Sequence, residues 1–450
     1  MVSPHPDLMR KIRNTKKLVK ERKQYRIPGL VKQLPDEFIS LESYNILDSL
    51  KPWVEHPRPK VKNISGIRTL QPPVRDRMIV LCISFPDKGP LVNVNDIATR
   101  FFGLGKSLRN YFIENSYGKY IPEGEVYGWY IAPHPYSYYV NDQNGRGAYP
   151  NNTQKLVEDV IDIAITDPEI NWSYFDLDND HIIDHLFIVH TGAEGAATGN
   201  VSDIWAHFWQ INPVIKSGYG FRYYAITSEF MTYFFDGQRA GVDCHEWGHD
   251  LGLPDLYDYS ENSNGVGSFS IMSQGSWLDN AFTPSHFDAW SKNQLGFTNT
   301  LVDQSGLQLL QDAETNDRNH KFTTQYENEY FLMENRQKTL FDAYLPGSGI
   351  LIYKVNESMS QNNNELCYKV GLVQADGRKD LENAINYGDE GDTFPGSTNK
   401  REFNSFTIPD TVLCDGSHSI FSISNITDPA SLMFFVNETC IAPSVKIELI

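Results

Sequence analysis

Residues 245–255 read His-Glu-Trp-Gly-His-Asp-Leu-Gly-Leu-Pro-Asp, and no other stretch so narrows the structures open to this chain. His245 and His249 stand four apart, so on a helix both imidazoles leave one face and can grip a single ion. Glu246, beside the first histidine, can reach a water on that ion and act as general base. An H-E-x-x-H string arises by chance in roughly 0.02 chains of this length and composition. Gly252 lies three residues past His249, where a helix can end in a left-handed residue at little cost. Pro254 blocks continuation, so the chain has to turn, and Asp255 can swing back as a third ligand. Two histidines and a carboxylate leave the fourth position of a zinc ion to water, the layout of a catalytic site. Asp250 and Asp258 compete for the third place. Asp250 adjoins His249 and is expected to point away, while Asp258 suits an outer role behind the ligands. Downstream, Ser270-Ile271-Met272-Ser273 follows a Gly- and Asn-rich loop. A turn that sets Met272 beneath the metal would give the metzincin arrangement.

A second constellation is Asp176-Leu177-Asp178-Asn179-Asp180-His181-Ile182-Ile183-Asp184. Asp176, Asp178 and Asp180 alternate and Asp184 follows four later, a spacing that suits a hard cation such as calcium. His181 stands where a glycine would ease the sharp turn. The competing reading is an acidic turn leading into the next strand. His190, His207 and His286 lack ligand spacing and read as packing or supporting residues, and Trp205 and Trp209 read as core aromatics, with the lining of a cleft as the competing reading.

The rest of the chain divides into three blocks: 1–72, 73–300 and 301–450. Residues 1–26 carry nine Lys or Arg against Asp7 and Glu21 and read as a polar, basic helix ended by Pro28-Gly29. A solvated leader competes there with a pro-segment that docks on an acidic body. No apolar h-region follows, so no secretory signal peptide is expected. Residues 30–72 are Pro-punctuated and read as an extended arm. In the second block, Arg77–Ser84 reads as a buried strand, Ile97–Asn115 and Gln154–Thr166 as helices, and Ile182–His190 as a strand. Residues 120–150, rich in Tyr, Pro, Gly and Asn, read as loops with short strands. After about residue 305 alternation takes over, with strands expected at Tyr330–Met333, Gly349–Val355, Ile420–Ile423 and Leu432–Val436. The expected fold is an α/β catalytic block followed by a β-rich, sandwich-like block.

Composition removes several classes of function. The formal charge of −18 over 450 residues disfavours a nucleic-acid binder. The longest apolar run, Met78–Ile83, is far short of the ~20 residues that span a bilayer. Five scattered cysteines are not a disulfide framework and leave the compartment open.

These motifs, taken with others, resemble the immune inhibitor A family of metalloendopeptidases. Tyr117-Gly118-Lys119 with Gly124–Trp129, Asp184–His190 with Asp203–His207, Pro284–Lys292, Tyr330–Gln337 and Leu345–Gly349 resemble its successive segments over roughly residues 75–400. The resemblance implies a zinc-dependent, metzincin-like endopeptidase that cuts internal peptide bonds of proteins, with His245, His249 and Asp255 as zinc ligands and Glu246 as base. It also implies secretion, and a monomer is expected. Gly388–Asp392 resembles a loop of the family and is a weaker calcium candidate. The leader typical of that family is not expected here, and no Cys-switch is expected upstream: Cys82 is inside a strand and Cys244 adjoins the motif. Any latency would use another ligand, such as His5 or Asp7. Two other functions compete: a zinc amidase acting on a non-protein amide, and a silent, calcium-stabilised binding protein. The intact Glu246 argues against the second.

Overall fold

The apolar run at Arg77–Ser84 becomes the centre of a sheet. In the computed structural model, which describes residues 2–11, 13, 73–231, 239–428 and 433–437, it lies in strand β1 (Val74–Ser84). Strand alternation splits its side chains between two cores. Met78, Val80 and Cys82 join one apolar cluster, and Ile79, Leu81 and Ile83 the other. Burial on both faces is what a near-continuous Val/Ile/Leu run in a parallel sheet requires.

The elements that follow are α1 (Val94–Phe102), α2 (Leu108–Asn115), β2 (Tyr120–Ile131), α3 (Tyr136–Val140), α4 (Thr153–Ala164), β3 (Leu186–Ala193), α5 (Gly195–Thr198), β4 (His207–Lys216), β5 (Tyr219–Phe230), α6 (Gly241–Asp250) and α7 (Ala289–Gln294). The first sheet runs β2-β1-β3-β5-β4, parallel except for β4 against β5. α4 covers one face through Leu156, Val157, Val160 and Ile161. α1, α2 and α6 cover the other through Ile97, Phe101, Phe112, Cys244 and Trp247.

Beyond α7 come β6 (Asn299–Val302), β7 (Gly306–Leu309), β8 (Arg318–Thr323), β9 (Glu329–Arg336), β10 (Gly349–Asn356), β11 (Val370–Leu372), β12 (Ser422–Ser424) and β13 (Met433–Asn437). They form a five-stranded sheet, β11-β10-β9-β8-β6, and a three-stranded sheet, β12-β13-β7. Phe331, Met333, Ile350 and Ile352 share an apolar cluster with Phe434 and Val436. The opposite side chains, Leu332, Leu351 and Tyr353, enter the cluster that holds Trp247 and Met272. One apolar core therefore runs across residue 300.

Several sequence expectations need correction. The helix expected over Ile97–Asn115 is two, because Gly103 ends α1 in extended backbone and Ser107 caps α2 by accepting from Asn110 N. Where loops with short strands are expected over 120–150, the chain forms one long strand of twelve residues, β2. Its pairing to β1 brings Gly124 so close that a Cβ would meet the Met78 carbonyl at 2.1 Å. The strand expected from Ile182 starts at Leu186, since Ile182 and Ile183 belong to the acidic turn. Ile420–Ile423 narrows to β12, two residues further along. Cys367 and Cys414 form a disulfide, which their spacing alone could not reveal. Most of the basic run, the arm at 30–72 and Leu432 lie outside the described residues.

Candidate active site

α6 carries the histidines because its far side belongs to the core. Cys244, Trp247 and Leu251 pack with Phe187 and Phe287, turning His245, Glu246 and His249 the other way. The start of the helix is pinned by a buried pair, Arg100 Nε to Asp243 Oδ2 at 2.9 Å, with Thr227 Oγ1 donating to Asp243 Oδ1. Removing one partner of such a pair typically costs about 3–5 kcal/mol. At the other end Gly252 adopts φ +97°, and Leu253 N donates to Gly248 O, so the helix stops where the glycine predicts.

After this turn Asp255 comes back to the histidines. Its Oδ1 lies 3.2 Å from His245 Nε2 and 3.0 Å from His249 Nε2, and the two Nε2 atoms are 3.1 Å apart. Bonds of ~2.0–2.1 Å to a tetrahedral zinc would set its ligand atoms about 3.3 Å apart, so the three atoms fit around one ion. The donor chemistry fits too. His245 Nδ1 donates to Ile271 O at 2.7 Å and His249 Nδ1 to Leu253 O at 2.8 Å. Carbonyls can only accept, so a neutral ring directs its Nε2 lone pair to the shared point. Burial favours the neutral form of His249 and pushes its pKa down to about 3. The other oxygen of Asp255 accepts from the hydroxyl of Tyr259, one turn further on. Glu246 is fully buried beside the trio, and burial raises its carboxyl above the usual range.

The competitors for the third place are engaged elsewhere. Asp250 meets the Nδ1 of buried His185, whose Nε2 lies 3.6 Å from Asp76. Burial alone would lower the His185 pKa, but the two carboxylates outweigh it and raise it to about 9. Asp258 accepts from Ser260 N and Oγ and from Ser263 N and Oγ, so it shapes the loop after Asp255. Met272 lies under α6, where a Cβ on Gly248 would approach its Sδ to 2.6 Å.

Val2 and Ser3 lie close to the site. Val2 is buried among Ala196, Trp205, Val242 and Trp277. Its N–H faces Glu246, and its carbonyl accepts from Trp205 Nε1 at 2.9 Å. The Ser3 carbonyl accepts from Trp277 Nε1 at 2.9 Å, and Arg13 Nη2 donates to Asn264 Oδ1 at 2.6 Å. Neither His5 nor Asp7 joins the ligand group, contrary to the latency expectation. His5 stacks edge-on against Trp277, and Asp7 pairs with Arg10 at the surface.

Of the acidic loop, Asp176, Asp178 and Asp184 bring one oxygen each within 4.8 Å of one another. Asp180 is not of that group; its Oδ1 accepts from Ile182 N. His181 takes φ +64°, so the turn forms without a glycine. Asp389 meets Asp376 and Asp380 in the same way. His207 bonds Trp205 O and Tyr224, and His286 bridges Glu114 and Lys292, both as packing residues. Sequence reasoning missed Tyr259, whose only signal is its place four residues after Asp255. It also missed Arg336, which nothing local marks.

Residues 98–300 match the family model for the immune inhibitor A peptidase M6 catalytic domain. Over 224 residues the chain is 31% identical to the pre-pro-metalloprotease PrtV of Vibrio cholerae serotype O1, covering 42% of this chain and 23% of that protein. Over 217 residues it is 30% identical to immune inhibitor A of Bacillus thuringiensis subsp. alesti, covering 42% of this chain and 31% of the relative. The chain thus spans less than a third of the length of these curated relatives.

Proposed function

We propose, from the premise that this chain belongs to the immune inhibitor A (M6) family of peptidases, that it is a zinc-dependent endopeptidase hydrolysing internal peptide bonds of proteins. The observation that carries the reading is the convergence of His245 Nε2, His249 Nε2 and Asp255 Oδ1 beside buried Glu246. Zinc held by these three would supply a Lewis acid and a water made acidic near neutral pH. Glu246, its proton affinity raised by burial, takes a proton from the attacking water and returns it to the leaving amine. Trp205 and Trp277 offer indole N–H groups to successive main-chain carbonyls, as a bound peptide needs. The catalytic block is read as metzincin-like, with Met272 beneath the ion, and the two sheets after residue 300 as a sandwich-like partner.

Residues 2–11 and 13 are read as part of a pro-segment that lies where substrate would. Cleavage of a diverse peptide library by the full chain, with and without a zinc chelator, checks both readings. Internal cuts that stop on chelation and return with zinc are expected. Val2→Asp, which sets a charge in the apolar pocket, should raise the rate by loosening the segment. Hydrolysis of simple acyl amides with peptides left intact would favour the amidase, and no turnover by either chain the silent binder.

Calcium is assigned to Asp176, Asp178 and Asp184. Adding it to cation-stripped protein should raise Tm by mass action, and Asp178→Asn with Asp184→Asn should remove most of that rise. An equal rise in the double variant would leave the loop a plain acidic turn. Secretion follows from the resemblance and is supported by the Cys367–Cys414 disulfide, a bond that persists in oxidising compartments. Among the described residues no helix is long and apolar enough to cross a membrane.

A further inference from the structure

The strand β9 ends in Arg336, an arginine with no exposed surface. Its Nε and Nη2 each donate at 2.6 Å to one oxygen of buried Asp342. Its Nη1 reaches the carbonyls of Phe269 and Phe287 at 3.3 and 3.4 Å, and Glu334 Oε1 at 3.0 Å. Phe269 is the last residue before Ser270-Ile271-Met272, and Phe287 follows His286 on the segment paired with that turn. One guanidinium therefore ties together both strands of backbone that form the floor of the metal site.

The path continues to a ligand. Asp342 Oδ1 accepts from His286 N at 2.9 Å. The His286 carbonyl accepts from Ile271 N at 3.2 Å, and the Ile271 carbonyl accepts from His245 Nδ1 at 2.7 Å. Each link is a hydrogen bond to or from a backbone group. The Ile271 carbonyl sets the tilt of the His245 ring, and the ring's tilt sets where Nε2 points.

A buried ion pair is weak evidence for stability, since well-packed apolar residues often serve as well. A guanidinium differs from such residues in directing five N–H donors in one rigid plane. Here that plane binds a carboxylate in bidentate fashion and reaches two carbonyls from separate loops.

We propose that Arg336, with Asp342, is a positioning residue for the zinc ligand His245, so that the β-rich block after residue 300 forms part of the metal site. This rests on the reading of His245, His249 and Asp255 as zinc ligands. Outer partners of metal ligands typically contribute 10–100-fold in affinity.

The test uses the full chain. Zinc affinity is measured by competition with a chromophoric chelator, and the cobalt(II)-loaded protein reports ligand geometry through its visible bands. Arg336→Lys keeps the charge but cannot span Asp342 and both carbonyls. It should lower zinc affinity by roughly 10–100-fold and shift the cobalt bands. Asp342→Asn keeps the volume and should act in the same direction; it decides the matter if Arg336→Lys does not fold. Ile352→Ala, a cut in the buried core between the two C-terminal sheets, should lower Tm while leaving zinc affinity and cobalt bands unchanged. Wild-type affinity and bands in a folded Arg336→Lys or Asp342→Asn would overturn the proposal. So would an equal loss of affinity in Ile352→Ala, which would make the effect one of stability. A wild-type chain that takes up no zinc would instead overturn the ligand assignment itself.

Discussion

Glu246→Ala is expected to keep one zinc per chain while peptide hydrolysis falls by about 10²–10⁴-fold, the range a positioned acid–base group supplies. The split follows from the geometry. His245, His249 and Asp255 converge on one point without Glu246, so removing its carboxylate takes nothing from the ligand set. Glu246 nevertheless sits in the same buried chamber, next in sequence to His245, and burial raises its proton affinity. Glu246→Gln, which keeps shape and loses basicity, should fall as far. Metal content by elemental analysis and kcat/KM on one peptide measure the two halves separately. Turnover at the wild-type rate in a zinc-loaded variant would remove Glu246 from the reaction.

Asp255→Ala should lower zinc affinity by more than about a hundredfold, beyond what an outer partner contributes, and abolish activity. Asp258→Ala should not, although it lies only three residues away. The two carboxylates do different work: Asp255 Oδ1 lies within 3.2 Å of both imidazoles, whereas both oxygens of Asp258 are taken up by Ser260 and Ser263. Asp258→Ala should therefore loosen the loop, lowering Tm with a small change in zinc affinity. Gly252→Val should fall between them. Its φ of +97° resists a β-branched residue, and the turn that returns Asp255 to the site would relax. Chelator competition on the three variants measures the order. Equal losses in Asp255→Ala and Asp258→Ala would place the third ligand elsewhere.

Much of this site was legible because its parts are close in sequence. Four-residue spacing on a helix fixes the relation of His245 to His249 wherever the helix lies, and Gly252 and Pro254 are sufficient to end it. The β1 strand was legible for a similar reason: an unbroken apolar run has to be buried on both faces. Residues 120–131 were not legible as one long strand. Their Tyr, Pro and Gly content has weak local preference, and pairing with β1 decides their conformation. Asp176–Asp184 was half legible, since alternation brings Asp176 and Asp178 together, but the turn at His181 sends Asp180 to cap backbone instead.

Sequence alone determined the facing of His245 and His249, the place of Glu246 beside them and the turn that follows, since each depends on helix periodicity or on one residue's allowed φ. Only the tertiary structure brought Asp255 to the two imidazoles, while giving Asp250 to His185 and Asp258 to its own loop. Only it brought Val2 under Trp205, and Arg336 under the turn that holds His245. Apart from Asp255 with its histidines and Asp258 with its serines, these partners lie scores to hundreds of residues apart, and no local preference encodes them. They meet because one apolar core closes across residue 300, and buried polar groups must then find partners where packing leaves them.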